Sequence, residues 1–392
     1  MNQMKKIVPA DRVDSIKEYY FSRKLRELAK LNAEGADIIS LGIGGPDKAP
    51  SDEVIATMQR EVADEANHSY QSHNGLPELR RAFAEWYREK YNVELNPDNE
   101  IQPLIGSKEG ILHLSLTFLN SGDGVLVPDP GYPTYSSVGK LIGAEIFTYD
   151  LTEEGGWLPD FEALERLPLD KIKLMWVNYP HMPTGRQATR ETFERLIDFG
   201  RRHGIVIAHD NPYSFILNRE PQSIMQVEGA KDIAIELNSL SKSHNMAGWR
   251  VAMAASNPTF ISWLLRVKSN IDSGQFKPVM LAAAQALKAG DDWYDNLYEV
   301  YAERRTIAEK IMNELSCEFD PQQKGMFLWG RIPDDAPSSE WLVDELFYKA
   351  KVFIAPGFIF GRNGERYIRI SLCAKPDKLR AALYRIHNYK NS

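Results

Sequence analysis

Ser239-Leu240-Ser241-Lys242-Ser243-His244-Asn245-Met246-Ala247-Gly248-Trp249-Arg250 follows the apolar run Ile233-Ala234-Ile235-Glu236-Leu237. The stretch gathers one lysine, two hydroxyls at i and i+2, and an arginine eight residues after the lysine. An amine forms a Schiff base with a carbonyl. Hydroxyls and an arginine hold a phosphate. A cofactor bearing both an aldehyde and a phosphate needs the two functions side by side, and pyridoxal 5'-phosphate is such a cofactor. A lysine alone is ordinarily a solvated surface group. The spacing around Lys242 lifts it above that reading.

Working outward, short apolar runs alternate with helical segments. Val125-Leu126-Val127 stops at Pro128, the run 172–177 stops at Asn178, and Ile205-Val206-Ile207-Ala208 stops at His209-Asp210. Strands of this length between helices predict an α/β fold with a largely parallel, buried sheet. Ligands of such sheets bind beyond the carboxyl ends of the strands. Asn178, Asp210 and the Ser239–Lys242 run all fall there. After about residue 290 helices precede strands at 326–329, 352–355 and 367–372, which suggests a second, α+β domain. The expected division is a large domain over 50–288 and a small one made of 1–49 with 289–392. Asp14 to Glu34 is expected to be a helix, with Leu25, Leu28 and Leu31 near helical spacing. The cluster Gly42-Ile43-Gly44-Gly45-Pro46 does not match a dinucleotide-binding fingerprint.

The bulk numbers exclude several classes. The 392 residues are 43% hydrophobic and 26% charged, with a net charge of -7. Nothing there favours nucleic acid or an anionic membrane. Cys317 and Cys373 are too few for a disulfide framework or a metal cluster, and no metal is expected. Met1 to Ala10 lacks the apolar run of a signal peptide, and no stretch approaches a membrane span. The expected compartment is the cytoplasm.

Several residues fit the chemistry that Lys242 suggests. A carboxylate beside the pyridine nitrogen keeps it protonated, and Asp210 is placed for that; it would equally cap a helix, since Asn211 and Pro212 follow. Tyr213 could donate to the phenolic oxygen O3', or simply pack. Gly106-Ser107-Lys108-Glu109-Gly110 precedes an apolar helix, and such a turn is a ready anion site or a plain cap by Ser107. Tyr132 stands between Pro130 and Pro133, a rigid platform for stacking or a structural turn. Arg369 interrupts Tyr367-Ile368-Arg369-Ile370-Ser371-Leu372. A charge there is costly unless paired, and a substrate carboxylate is a natural partner; an outward-facing residue on an edge strand is the other reading.

The ordered set Leu41-Gly42-Ile43-Gly44, 106–110, Pro128-Asp129-Pro130-Gly131-Tyr132-Pro133, Pro183-Thr184-Gly185, Asp210 with Tyr213, Lys242, Arg250, Pro356-Gly357 and Arg369 resembles the class I/II, fold-type I pyridoxal-phosphate-dependent aminotransferases. Within them, Ser40 to Asp47 and the 106–110 turn look most like the LL-diaminopimelate and aspartate-type branch. The resemblance implies a mostly parallel seven-stranded sheet and ping-pong transfer of an amino group between an L-amino acid and a 2-keto acid. It implies that Lys242 carries the cofactor, Asp210 partners the ring nitrogen, Tyr213 contacts O3' and Tyr132 stacks. Gly106, Ser107, Lys108, Ser239, Ser241 and Arg250 would hold the phosphate. Arg369 would bind the α-carboxylate, backed by Gly42, with Tyr19 on the substrate side. Tyr70 would reach the phosphate of a neighbouring subunit, which implies a homodimer.

The family's loop reads Asn-Pro-Thr-Gly, and its Asn donates to O3'. Here the loop is Asn178-Tyr179-Pro180-His181-Met182-Pro183-Thr184-Gly185. Met182 has no strong donor, and Asn178 is the remaining amide near the ring. More negative charge on O3' and a raised Schiff-base pKa are expected. A C–S β-lyase on the same scaffold and a non-catalytic cofactor-binding protein are the competing readings. The intact Lys242 and Asp210 weigh against the second.

Overall fold

A computed structural model of the chain describes residues 7–14, 16 and 18–391. The first six residues of the Met1–Ala10 stretch lie outside these. The N-terminal helix is shorter than expected. A four-residue helix ends at Asp14, and the long helix runs Tyr20–Ala33, preceded by an extended Tyr19. Residues 15 and 17, inside the expected span, also lie outside the described residues. Leu25, Leu28 and Leu31, the residues at helical spacing, pack with Phe21 against an apolar cluster.

Strand β1 (Ile39–Ser40) leads away from this helix. The central sheet is then built from β2 (Ile101–Leu104), β3 (Gly124–Asp129), β4 (Glu145–Asp150), β5 (Ile172–Asn178), β6 (Val206–Asp210), β7 (Ala234–Ser239) and β8 (Ala252–Ala255). Their order is β2-β8-β7-β6-β5-β3-β4. All neighbours are parallel except that β8 runs antiparallel to β2 and β7. β3, β5, β6 and β7 are buried almost throughout because helices cover both faces. The helix Arg190–His203 shows how the sequence sets these covers. Thr189 caps its N-terminus, Phe193, Leu196 and Ile197 face the sheet, and Gly204 ends it in the left-handed conformation. The strands run one to two residues further than the apolar runs suggest. Asn178, Asp210 and Ser239 are therefore the last residues of three neighbouring strands, not residues beyond them.

Beyond residue 290 the chain forms β9 (Phe327–Arg331), β10 (Val352–Phe353), β11 (Ala355–Pro356) and β12 (Tyr367–Ser371). β10 pairs with β1, and β12 lies between β11 and β9 in an antiparallel sheet. Arg369 is thus on a central strand, so the edge-strand reading falls. A separate apolar cluster joins Ile38, Ile39 and Leu41 to residues 297–386, and Met182, Ile216 and Leu217 enter it from the sheet side. Among the described residues, no helix is long and apolar enough to cross a membrane.

Candidate active site

A cavity of about 360 Å³ opens at the carboxyl ends of β5, β6 and β7 and is closed on its far side by β9, β12 and the Tyr20–Ala33 helix. Every expected site residue except Tyr70 and Gly106 lines it. Gly106 lies one residue outside, and Tyr70 is 90% exposed on a loop that does not line the cavity.

β7 ends in Ser239, whose hydroxyl accepts from the Ser241 backbone N–H and caps the one-turn helix Leu240–Ser243. This turn aims Lys242 inward. Its Nζ donates to the Gly44 carbonyl at 2.5 Å, and burial holds its pKa below the usual lysine value. Ser239 Oγ donates to Ser241 Oγ at 2.9 Å, so the two hydroxyls form a pair. Gly106 supplies a left-handed residue (φ +82°) at the start of the helix Ser107–Phe118. No side chain caps that helix, so the cap reading for Ser107 falls and the first-turn N–H groups are left without a capping side chain. A Cβ on Gly106 would fall 1.9 Å from Arg250 Nη2, so the guanidinium lies against bare backbone. Glu109 braces the turn by accepting from the Ile105 N–H at 2.7 Å. Glu109, His113 and Asp272 approach metal-ligand spacing, but the Lys268 ammonium bonds both carboxylates.

Asp210 ends β6, and no helix follows it. Its Oδ2 accepts from the Tyr135 hydroxyl at 2.8 Å, while the buried Oδ1 has no partner. Burial raises the Asp210 pKa to about 6, against the opposing Tyr135 hydrogen bond. Tyr135 is held in turn by stacking on Trp176, centroids 4.9 Å apart and planes 5° off parallel. It was not legible as a site residue, although it lies three residues after Tyr132, in the first turn of the helix Pro133–Ile142. Asn178 lines the cavity with its amide engaged elsewhere. It donates to the Asp210 carbonyl at 2.6 Å and accepts from the Met182 N–H at 2.8 Å, tying β5 to β6 and to the loop beyond.

Arg369 rises from β12, fully enclosed. Nη2 donates to the Gly42 carbonyl at 2.9 Å, Nη1 donates to Met182 Sδ at 3.2 Å, and Nε has no partner. Its guanidinium carbon lies 3.9 Å from the Phe327 ring centroid and 4.6 Å from that of Phe360. Burial lowers its pKa to about 10. Among the described residues, no carboxylate pairs with it. The cavity brings together the hydroxyls of Ser107, Ser239 and Ser241 with Arg250, an amine, a buried carboxylate oxygen without a donor, and an arginine without an anion. Pyridoxal phosphate would fit this set, with its phosphate at the hydroxyl and arginine group, its aldehyde at Lys242 and its ring N–H at the unpartnered Asp210 Oδ1. Tyr132 and Tyr213 flank the same space.

Comparison with known proteins agrees with that fit. The family pattern described as "Aminotransferase class I and II" matches residues 36–386. The LL-diaminopimelate aminotransferase of Halothermothrix orenii is 41% identical over 381 residues, 97% of this chain and 98% of that protein. That of Aquifex aeolicus is 38% identical over 97% of this chain and 99% of its own length. Among solved structures, substrate-bound BacF from Bacillus subtilis superposes with a TM-score of 0.91 at 33% identity, covering 98% of each chain. A probable N-succinyldiaminopimelate aminotransferase from Thermus thermophilus gives 0.88 at 30% identity over 94% of this chain and 99% of the other.

Proposed function

The chain belongs to the class I and II aminotransferases, and from that premise we propose that its amino donor is of the LL-diaminopimelate or aspartate type. The protein is a pyridoxal-phosphate-dependent aminotransferase that exchanges an amino group between an amino acid and a 2-keto acid. The similarity to LL-diaminopimelate aminotransferases along nearly the whole chain supports the donor class.

When bound, the cofactor supplies a carbonyl carbon that captures the amino group and a ring that takes up the electron pair left at the substrate α-carbon. The rest is the work of this chain. Asp210 holds the proton on the ring nitrogen through Oδ1. Lys242 Nζ, largely desolvated, is the base that takes the α-proton and later returns it. Arg369 binds the α-carboxylate through its two-pronged edge and orients the α-hydrogen towards Nζ. Arg250, Ser239, Ser241, Ser107 and the helix N-terminus would hold the phosphate, Tyr213 would donate to O3' and Tyr132 would stack on the ring. Tyr19, whose phenol pKa partial burial raises to about 12, closes the substrate side.

Among the described cavity residues Asp210 is the only acid. A distal ammonium of the donor therefore finds its partner outside this protomer. Exposed Tyr70 belongs to the surface that a second copy would cover, and it reaches that copy's phosphate in a homodimer. The large lobe is 50–288 and the small lobe 1–49 with 289–392, a division supported by the separate apolar clusters. Two buried free thiols suit a reducing compartment, the cytoplasm.

The carrying observation is that Lys242 Nζ, the unpaired Asp210 Oδ1 and the anion-free Arg369 share one cavity. The test is absorbance of cofactor-loaded protein mixed with single amino acids. Conversion to the pyridoxamine form by LL-diaminopimelate, aspartate or glutamate supports the donor class. Conversion only by other amino acids refutes it. Pyruvate and ammonia from cystathionine, without conversion, would make the protein a lyase.

A further inference from the structure

The geometry points to Met182 as the positioning residue that sets the strength of the carboxylate subsite: its thioether leaves the buried Arg369 guanidinium without a strong side-chain acceptor, so the arginine binds a carboxylate more tightly than it would beside an amide. This rests on the reading of Arg369 given under Proposed function.

A guanidinium carries five N–H donors. Here the Gly42 carbonyl takes one, and Met182 Sδ, a weak acceptor, takes another. Nε is buried without a partner. Phe327 and Phe360 cover the cation with ring faces, which attract the charge but accept no directed hydrogen bond of carboxylate strength. The lowered pKa of Arg369 agrees with a charge that folding has stripped of water and incompletely compensated.

Met182 is held in place for this contact. Its N–H donates to Asn178 Oδ1 at 2.8 Å, and its side chain is 5% exposed within the cluster that joins it to β9 and β12. An amide oxygen at residue 182 would occupy Nη1 before substrate arrives. The carboxylate would then replace an existing charge-assisted bond where it now supplies a missing one. The thioether keeps the free site unsatisfied and transfers that deficit into binding.

The experiment uses cofactor-loaded protein and 3-phenylpropanoate, a carboxylate with no amino group to react. Its dissociation constant is measured by calorimetry for wild type, Met182→Asn, Met182→Leu and Arg369→Ala. Met182→Asn is expected to bind about tenfold more weakly and Met182→Leu within about twofold of wild type. Steady-state kinetics should place the Met182→Asn effect mainly on KM for the amino donor. Equal or tighter binding by Met182→Asn overturns the inference. So does equal weakening by Asn and Leu, which would make the contact one of fit alone. If Arg369→Ala binds as well as wild type, the underlying role of Arg369 fails too, and that result is separate from the comparison of the two Met182 variants.

Discussion

The Tyr135 hydroxyl donates to one oxygen of Asp210 at 2.8 Å and leaves the other oxygen buried with no partner. The carboxylate is thereby oriented with one lone-pair edge fixed and one directed at the cavity. Because burial outweighs the Tyr135 bond, Asp210 takes up its proton at about pH 6.

A stability slope follows in the cofactor-free protein. A carboxyl whose folded pKa is raised binds more protons folded than unfolded between about pH 4 and 6, so stability falls as pH rises through that window. The contribution lost by pH 7 is about 3 kcal/mol. Urea unfolding of cofactor-free wild type should show this decline, and Asp210→Asn should lack it. Tyr135→Phe removes a bond that lowers the pKa, so its decline should extend to higher pH. A slope unaltered by Asp210→Asn would assign it to another group.

Gly106→Ala places a methyl where the Arg250 guanidinium lies and asks a non-glycine residue to hold φ +82°. The expected cost is about 1–3 kcal/mol of stability. Cofactor affinity should fall with it by at least tenfold, because Arg250 must move. Fluorescence titration with pyridoxal phosphate measures the second effect. An unchanged affinity would remove Arg250 from the cradle.

Met182→Asn restores a donor near the expected position of O3'. The visible-absorbance titration midpoint of the cofactor-loaded variant should move to lower pH by about one unit, as expected for a hydrogen bond to the charged form. A midpoint that stays or rises would show that the amide does not reach O3'.

Tyr70→Phe should weaken cofactor binding about tenfold if the hydroxyl completes a neighbouring phosphate site. Mixing it with Lys242→Ala gives a sharper check. Hybrid dimers should hold one site that has both wild-type residues and one that has neither, and activity should return to a mixture of two weak or inactive parents. No recovery on mixing, with hybrids shown by native mass spectrometry, would remove Tyr70 from the shared site.

The sequence made the α/β core legible because its strands are continuous apolar runs and its chemistry falls where those runs stop. Lys242, Asp210, Arg250 and Arg369 stood out because their charges are out of place in apolar surroundings or arrive at a fixed spacing. What stayed hidden was set by distant contacts. Phe21, Phe327 and Phe360 converge on Arg369 from three separate segments, and no local pattern marks an aromatic residue as the neighbour of an arginine. Tyr135 reads as an ordinary helical tyrosine until β6 brings Asp210 beneath it. The start of the N-terminal helix was misjudged because hydrophobic spacing persists through residues that the backbone leaves extended at Tyr19.

The carbonyls of Gly42 and Gly44 receive Arg369 and Lys242, so a single three-residue length of main chain touches both the anion clamp and the amine. Asp47, just beyond it, accepts from Nη1 and Nη2 of Arg304 at 2.8 and 3.0 Å. For protein engineering this is a coupled control. Altering this segment to suit a bulkier donor would disturb proton transfer at the same stroke. The side chains around it offer no independent handle either, because Phe327 packs on Gly44 and Phe327, Phe360 and Met182 all touch the Arg369 guanidinium.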